Sequence, residues 1–166
     1  MAKLLVLLFA IFGVSAALAT DEWWEFEKAG EGLTAGTVNQ AGQSLGQYCD
    51  YSESACYWNL LLETSCQKGF EAPALGSDGA GSVVITAHCQ GRTTGPGAVT
   101  YRYLLSDFDV VDKLVRSGGI VGIAFALDSG KFQVVRFNTI GATAKLDAMR
   151  TKANARAKKA TGSTTL

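Results

Sequence analysis

Apolar and polar positions divide the chain into stretches of different period. Leu4–Val14 is an unbroken apolar run. Short β-prone runs follow much later, at Tyr57–Leu62, Ser82–Ala87 and Val99–Leu105, each bounded by residues that favour turns. Such runs predict strands. Ser106 followed by Asp109 has the spacing of a capping box and opens a helix that reaches Ser117, with Phe108, Val111 and Val115 on one face and Leu114 beside them. Gly118 and Gly119 end it. Ile120–Leu127 is then fully apolar, Asp128-Ser129-Gly130 is a tight turn, and Phe132–Phe137 answers with Phe132, Val134 and Phe137 apolar against Gln133 and Arg136. This pair predicts a β-hairpin.

Two regions carry weaker patterns. Residues 30–46 hold five glycines and few side chains to bury, which predicts loop with at most one short strand. The Gly/Ala/Asp-rich residues 69–81 and the GRTTGPG stretch at 91–97 read as connectors. Residues 142–160 are rich in Ala, Lys and Arg and predict a helix. Leu146 and Met149 anchor its start, and beyond them its apolar face thins to alanine, so the helix is expected to stand partly free, with GSTTL as an unstructured end. The expected fold is α+β: an antiparallel sheet of five or six strands, one packed helix and a basic C-terminal helix.

The apolar run near the start changes the picture of the whole. Lys3, the run itself and Ala17-Leu18-Ala19 match the three parts of a secretory signal, with cleavage expected between Ala19 and Thr20. The run is too short to span a bilayer, which takes about 20 residues. Cleavage of 19 residues from 166 would leave 147, the size of one domain. The expected organisation is a signal peptide at 1–19, an acidic-aromatic and glycine-rich segment at 20–46, a globular domain at 47–141 and a basic helix and tail at 142–166. No transmembrane segment is expected in the mature chain.

Export makes the cysteines informative. Cys49, Cys56, Cys66 and Cys89 are even in number and lie in the mature part, which predicts two disulfides formed in an oxidising compartment. A hairpin of residues 57–65 with 82–89 would set Cys56 against Cys89 and leave Cys49 with Cys66. A local Cys49–Cys56 bridge around Ser52-Glu53-Ser54 is the alternative. A zinc site would want a CxxC pair or a close Cys/His knuckle, and neither occurs.

Charge excludes some classes and points to others. Fifteen basic and fifteen acidic side chains balance, so nucleic acid is not an expected partner. The distribution is uneven: residues 21–31 carry five acids and one lysine, and residues 145–159 carry six bases and one aspartate. Lys145, Lys152, Arg156 and Lys159 fall on one helical face, with Arg150 and Lys158 beside it, a stripe that would attract an anionic surface or an acidic protein. The acidic N-terminal segment is a third candidate partner for it. Trp23, Trp24 and Phe26 form an aromatic cluster of the kind that anchors a partner or a sugar ring, or packs down as a first strand.

Catalytic signals are sparse. His88 is the only histidine, and neither a GxSxG elbow nor an HExxH motif is present. Asp107, Asp109 and Asp112 gather near a helix start, where the helix dipole alone accounts for acidic residues. Residues 76–82 (GSDGAGS) precede a strand rather than a helix, the wrong order for a phosphate loop. No cofactor is implied. Residues 123–149 resemble the strand–turn–strand–helix close of small secreted bacterial β domains of the invasion-associated locus B type, a likeness that implies no site residue. The expected function is an exported non-enzymatic binding or accessory domain. The alternatives are a structural subunit of an envelope or extracellular assembly and, more remotely, a small hydrolase using His88 or the three aspartates. If the basic helix is only a contact surface, removal of residues 145–166 should leave the fold intact.

Overall fold

The computed structural model describes residues 22–94, 99–126 and 132–162. The expected signal peptide, the expected Asp128-Ser129-Gly130 turn, the GlyProGly end of the expected 91–97 connector and the last four residues lie outside the described residues. Among those described, nine strands form one antiparallel sheet: β1 (Trp24–Lys28), β2 (Gly32–Val38), β3 (Ser44–Asp50), β4 (Ala55–Leu62), β5 (Glu71–Ser77), β6 (Ser82–Thr94), β7 (Val99–Leu105), β8 (Ile120–Ala126) and β9 (Phe132–Asn138). Their spatial order is β1-β2-β3-β4-β7-β6-β5-β8-β9. Two helices complete the fold, α1 (Phe108–Val115) and α2 (Ala142–Gly162).

Alternation along each strand sends one set of side chains inward. Leu33, Leu45, Trp58, Leu60, Ile85, Ile123 and Phe137 are buried on this inner face. Helix α1 covers its β4–β6 part and α2 its β1–β3 part. Strands twist with a fixed hand, and a long antiparallel sheet curls as the twist accumulates. Here the curl brings the two ends together: Asn39 Nδ2, in the β2–β3 turn, donates to the Arg136 carbonyl of β9 at 3.2 Å. The Trp23 indole N–H donates to the Asn138 carbonyl at 3.2 Å.

The sheet is larger than the five or six strands expected, because small residues hide strands from a hydrophobicity pattern. Residues 30–46 form β2 and the start of β3 rather than loop, and the boundary expected after residue 46 falls inside β3. Gly36 and Gly46 are direct cross-strand partners. A Cβ at Gly46 would lie 2.9 Å from the Ala35 carbonyl and 3.2 Å from Gly36 Cα, so glycine there serves close strand approach, not flexibility. Residues 91–94 of the expected 91–97 connector are the end of β6, paired with β7, and the connector at 69–81 likewise contains β5. At its tip Asp78 accepts hydrogen bonds from the amides of Ala80 and Gly81, which closes the β5–β6 hairpin.

Four further expectations are corrected. The hairpin of residues 57–65 with 82–89 does not form, since β7 lies between β4 and β6. The bridges are therefore Cys49–Cys56, between facing residues of β3 and β4, and Cys66–Cys89. The capping box is absent: Asp107 is the N-cap in a left-handed conformation without a side-chain cap, and the Ser106 hydroxyl donates to the Thr86 carbonyl instead. In β9 Val135 and Phe137 are buried, whereas Phe132 and Val134 point outward beside Arg136. Finally, α2 does not stand free. Ala142, Leu146, Met149, Ala153 and Ala157 are all buried, because alanine lets the helix approach the sheet closely. No helix among the described residues is long and apolar enough to cross a membrane.

An interior tyrosine gives the fold a measurable alkaline limit. Tyr51 is buried and its hydroxyl donates to Glu27 Oε1 at 2.9 Å. Burial first, and Glu27 second, push its pKa up to about 12 from an ordinary value of 10.0. Folding favours the neutral phenol, so its stabilisation is complete below pH 10 and is lost as pH rises through about 12. Stability should fall by at most about 2 kcal/mol over that interval on account of this residue. Denaturant unfolding at pH 9 and pH 12 should show that fall, and Tyr51→Phe should reduce it. An equal fall in the variant would show that Tyr51 is not the cause.

Candidate functional site

The outer face, opposite the helices, carries a trough of about 350 Å3. Register builds it. One lateral row of paired residues runs Trp24, Gly36, Gly46, Asn59, Leu104, His88, Glu71 across seven strands. Gly36 and Gly46 have no side chains, so the row is open over β2 and β3 and forms a floor. Trp24, 37% exposed, leans over this floor, its ring 3.1 Å from where a Gly36 Cβ would sit. Asn59 stands on the other side. The neighbouring rows supply Thr34 and Tyr48 along one flank and Ser44, Leu61 and Arg102 along the other. The volume is at the lower end of the roughly 300–1,000 Å3 usual for small-molecule sites.

Local bonds fix two of the walls. The Tyr48 ring lies against Gly32, and its hydroxyl donates to Asp50 Oδ2 at 3.2 Å. Burial, with Asp50 beside it, holds that phenol above its ordinary range. Asp50 also accepts from the Ser52 hydroxyl at 2.6 Å and from the Ser52 and Glu53 amides; the Ser52 hydroxyl is the main cause that keeps its carboxyl below the usual range. Asp50 is thus committed to its own turn. On the β1 side, Lys28 and Glu31 pair with one another. The trough offers an aromatic wall, a flat floor and a ring of hydroxyl and amide groups.

The residues singled out in the sequence do not come together as one surface. Trp23 is buried in the core at the seam of the sheet and is not a contact residue. Trp24 and Phe26 point to the outer face, and Glu25 and Glu27 of the same strand point to the helix side. There Lys152 Nζ lies 2.6 Å from Glu25 and Arg156 Nε 3.6 Å from Glu27. The acidic segment and the basic helix therefore pair internally. Lys145 and Lys159 are exposed.

The catalytic candidates find ordinary partners. His88 Nδ1 lies 2.9 Å from Glu71, its cross-strand neighbour, and no hydroxyl among the described residues bonds to it. Asp112 binds Arg116 at 2.8 Å and also Arg150, joining α1 to α2. Asp107 and Asp109 remain at the start of α1. Among the described residues no group of three His, Cys, Asp or Glu side chains is placed to hold a metal ion.

Sequence reasoning missed Gly36, Gly46, Tyr48, Asn59 and Arg102. The one available signal was the ten-residue spacing of Gly36 and Gly46, which a tight hairpin turns into a facing pair. Set against protein-family models, curated proteins and solved structures, the chain matches none of them.

Proposed function

We propose that the protein is an exported, non-catalytic binding domain that holds one sugar unit of a glycan in the outer-face trough. The observation that carries this reading is the partly exposed Trp24 indole leaning over the glycine floor. A pyranose ring presents a flat face of C–H bonds that stacks on an indole, while its hydroxyls take hydrogen bonds at the ring's edge. Asn59, Ser44, Thr34 and Thr93 stand where those hydroxyls would reach. Two disulfides support an oxidising compartment and hence export. Among the described residues that line the trough Glu31 is the one carboxylate and is paired with Lys28, whereas glycoside hydrolysis uses two carboxyl groups, which favours binding over hydrolysis.

Immobilised oligosaccharides tested against the mature protein should retain it, and Trp24→Ala should abolish retention while leaving the thermal transition cooperative. Retention unaffected by Trp24→Ala, or none on a broad set of neutral and acidic oligosaccharides, would overturn this reading.

The alternative, a structural subunit formed with further copies of this chain, has its own observation. Val84, Leu75, Ala124 and Val134 are cross-strand neighbours on the outer face of β6, β5, β8 and β9. Val84 is 67% exposed, Leu75 46% and Val134 48%, an apolar stripe that a second copy would cover. Sedimentation that shows only monomer at high concentration would remove this alternative.

A further inference from the structure

Of the three charged residues that line the trough, Lys28, Glu31 and Arg102, only Arg102 has no charged partner among the described residues. Lys28 is neutralised by Glu31, and Asp50 is engaged by Ser52 and Tyr48. Across the floor, Arg102 is exposed on β7, and its guanidinium makes neither an ion pair nor a hydrogen bond with any of the described residues. Its partner on one side is Leu61, which is apolar, and on the other Gly91, which has no side chain and against which the stem of Lys68, another cation, lies. Gly91 sits at φ +90° where the β6 ladder shifts register, so no acidic side chain can be added at that position without strain. Among the described residues the sheet thus leaves a guanidinium at the trough with its donors uncommitted.

Spacing places it at useful range. Strands lie about 4.8 Å apart, so Gly36, beneath the indole, and Arg102 are three intervals or roughly 14 Å apart across the sheet. An arginine side chain covers about half of that. The remaining gap suits a single pyranose, with its ring against Trp24 and its exocyclic group toward Arg102.

We infer that the sugar held here is acidic, a hexuronate unit whose carboxylate Arg102 binds. This rests on the binding reading proposed above and narrows it. A guanidinium presents two parallel N–H donors that match the two oxygens of a carboxylate, a geometry an ammonium cannot reproduce. The C5 carboxylate of a uronate projects from the edge of the ring, so stacking on Trp24 and pairing with Arg102 are compatible. The hydroxyls stay with Asn59 and Ser44.

The test uses oligomers of galacturonate, of alginate and of hyaluronan, each beside its methyl ester, which keeps the ring and removes the charge. Binding to the mature protein is followed by calorimetry. At least one acid should bind roughly tenfold to hundredfold more tightly than its ester, the return expected for a charge-assisted pair. Arg102→Gln should bring the affinity for the acid down to that for the ester, and Arg102→Lys should restore only part of the difference. Lys145→Gln with Lys159→Gln, on α2 and outside the trough, should leave the preference intact. If that double variant loses the preference and Arg102→Gln keeps it, the inference is overturned and the acid binds the helix. Equal affinity for acid and ester, lost in Trp24→Ala, overturns the inference but leaves the trough as a sugar site. No binding of any acid, ester or neutral oligosaccharide overturns both.

Discussion

A chain truncated after Ala144 is expected to lose cooperative folding, not merely its basic end. Leu146 and Met149 are fully buried and Ala153 and Ala157 nearly so. The two larger side chains alone account for roughly 1.5–3 kcal/mol each. The helix also covers the inner faces of β2 and β3, where Leu33, Ala35 and Leu45 are at most 1% exposed. Uncovering them adds a comparable loss. A domain of this size has about 5–15 kcal/mol in all, so the remainder would be marginal or absent. Polar contacts go as well: Arg150 Nε donates to Gln47 at 2.7 Å, its guanidinium pairs with Asp112, and it lies 5.1 Å above the Phe108 ring. Far-UV circular dichroism during heating checks the outcome. The truncated chain should show no cooperative transition, and Leu146→Ala in the full chain should lower stability by about 2–5 kcal/mol. A truncated protein that melts like the full one would show that α2 is an appendage.

That expectation reverses the reading of the same helix from its sequence, and the reason is physical. A hydrophobicity pattern weighs alanine lightly, so Ala142, Leu146, Met149, Ala153 and Ala157 look like two anchors and a soluble tail. Packing weighs how close two backbones come, and alanine allows the closest approach short of glycine. The same blindness hid Gly36 and Gly46. In a sequence they signal loop, whereas between β2 and β3 they are the only residues that fit. Pro73 concealed β5 in a related way, since proline argues against a central strand. It is tolerated because the β5–β8 ladder begins at Ala74, leaving Pro73 paired with β6 alone among the described strands.

Where large side chains decide the element, the sequence was enough. The strands of residues 57–62, 82–87 and 99–105, the short helix with Val111, Leu114 and Val115 inward, and the β8–β9 pair all stand where their patterns placed them. The candidate site was not legible in this way. Trp24 stood out, but Tyr48, Asn59 and Arg102 are unremarkable in their own segments and meet only through the pairing of β3, β4 and β7. Strand order is a property of long-range register, and nothing local to Arg102 foretells that Leu61 and Ser44 will lie beside it.

Replacement of Cys66 and Cys89 by alanine should cost more stability than replacement of Cys49 and Cys56. The two bridges close loops of different length, with sequence separations of 23 and 7. Loop-closure entropy alone gives about 3.5 kcal/mol for the longer and about 2.5 kcal/mol for the shorter. Their settings widen the gap. Cys49 and Cys56 face one another in a hairpin whose register is already fixed by the pairs on either side, from Ser44 with Leu61 to Asp50 with Ala55. Cys66 lies in the segment between β4 and β5, and its bridge ties that segment to β6 with few other restraints: Gly69 donates to the Cys89 carbonyl and Cys89 to the Phe70 carbonyl, each at 2.8 Å. Chemical denaturation of the two double variants tests the order, and a larger loss for the Cys49/Cys56 variant would overturn it. The pairing itself is open to a separate check. Tryptic cleavage leaves Cys49, Cys56 and Cys66 on one peptide, since no lysine or arginine separates them. Cleavage after Glu53, Glu63 and Glu71 isolates all four cysteines. Without reduction, the peptide ending at Glu53 should remain joined to the one ending at Glu63, and the peptide ending at Glu71 to the one that follows it. Any other joined pair would mean that β3, β4 and β6 are not arranged as described, and the trough built on their register would fall with them.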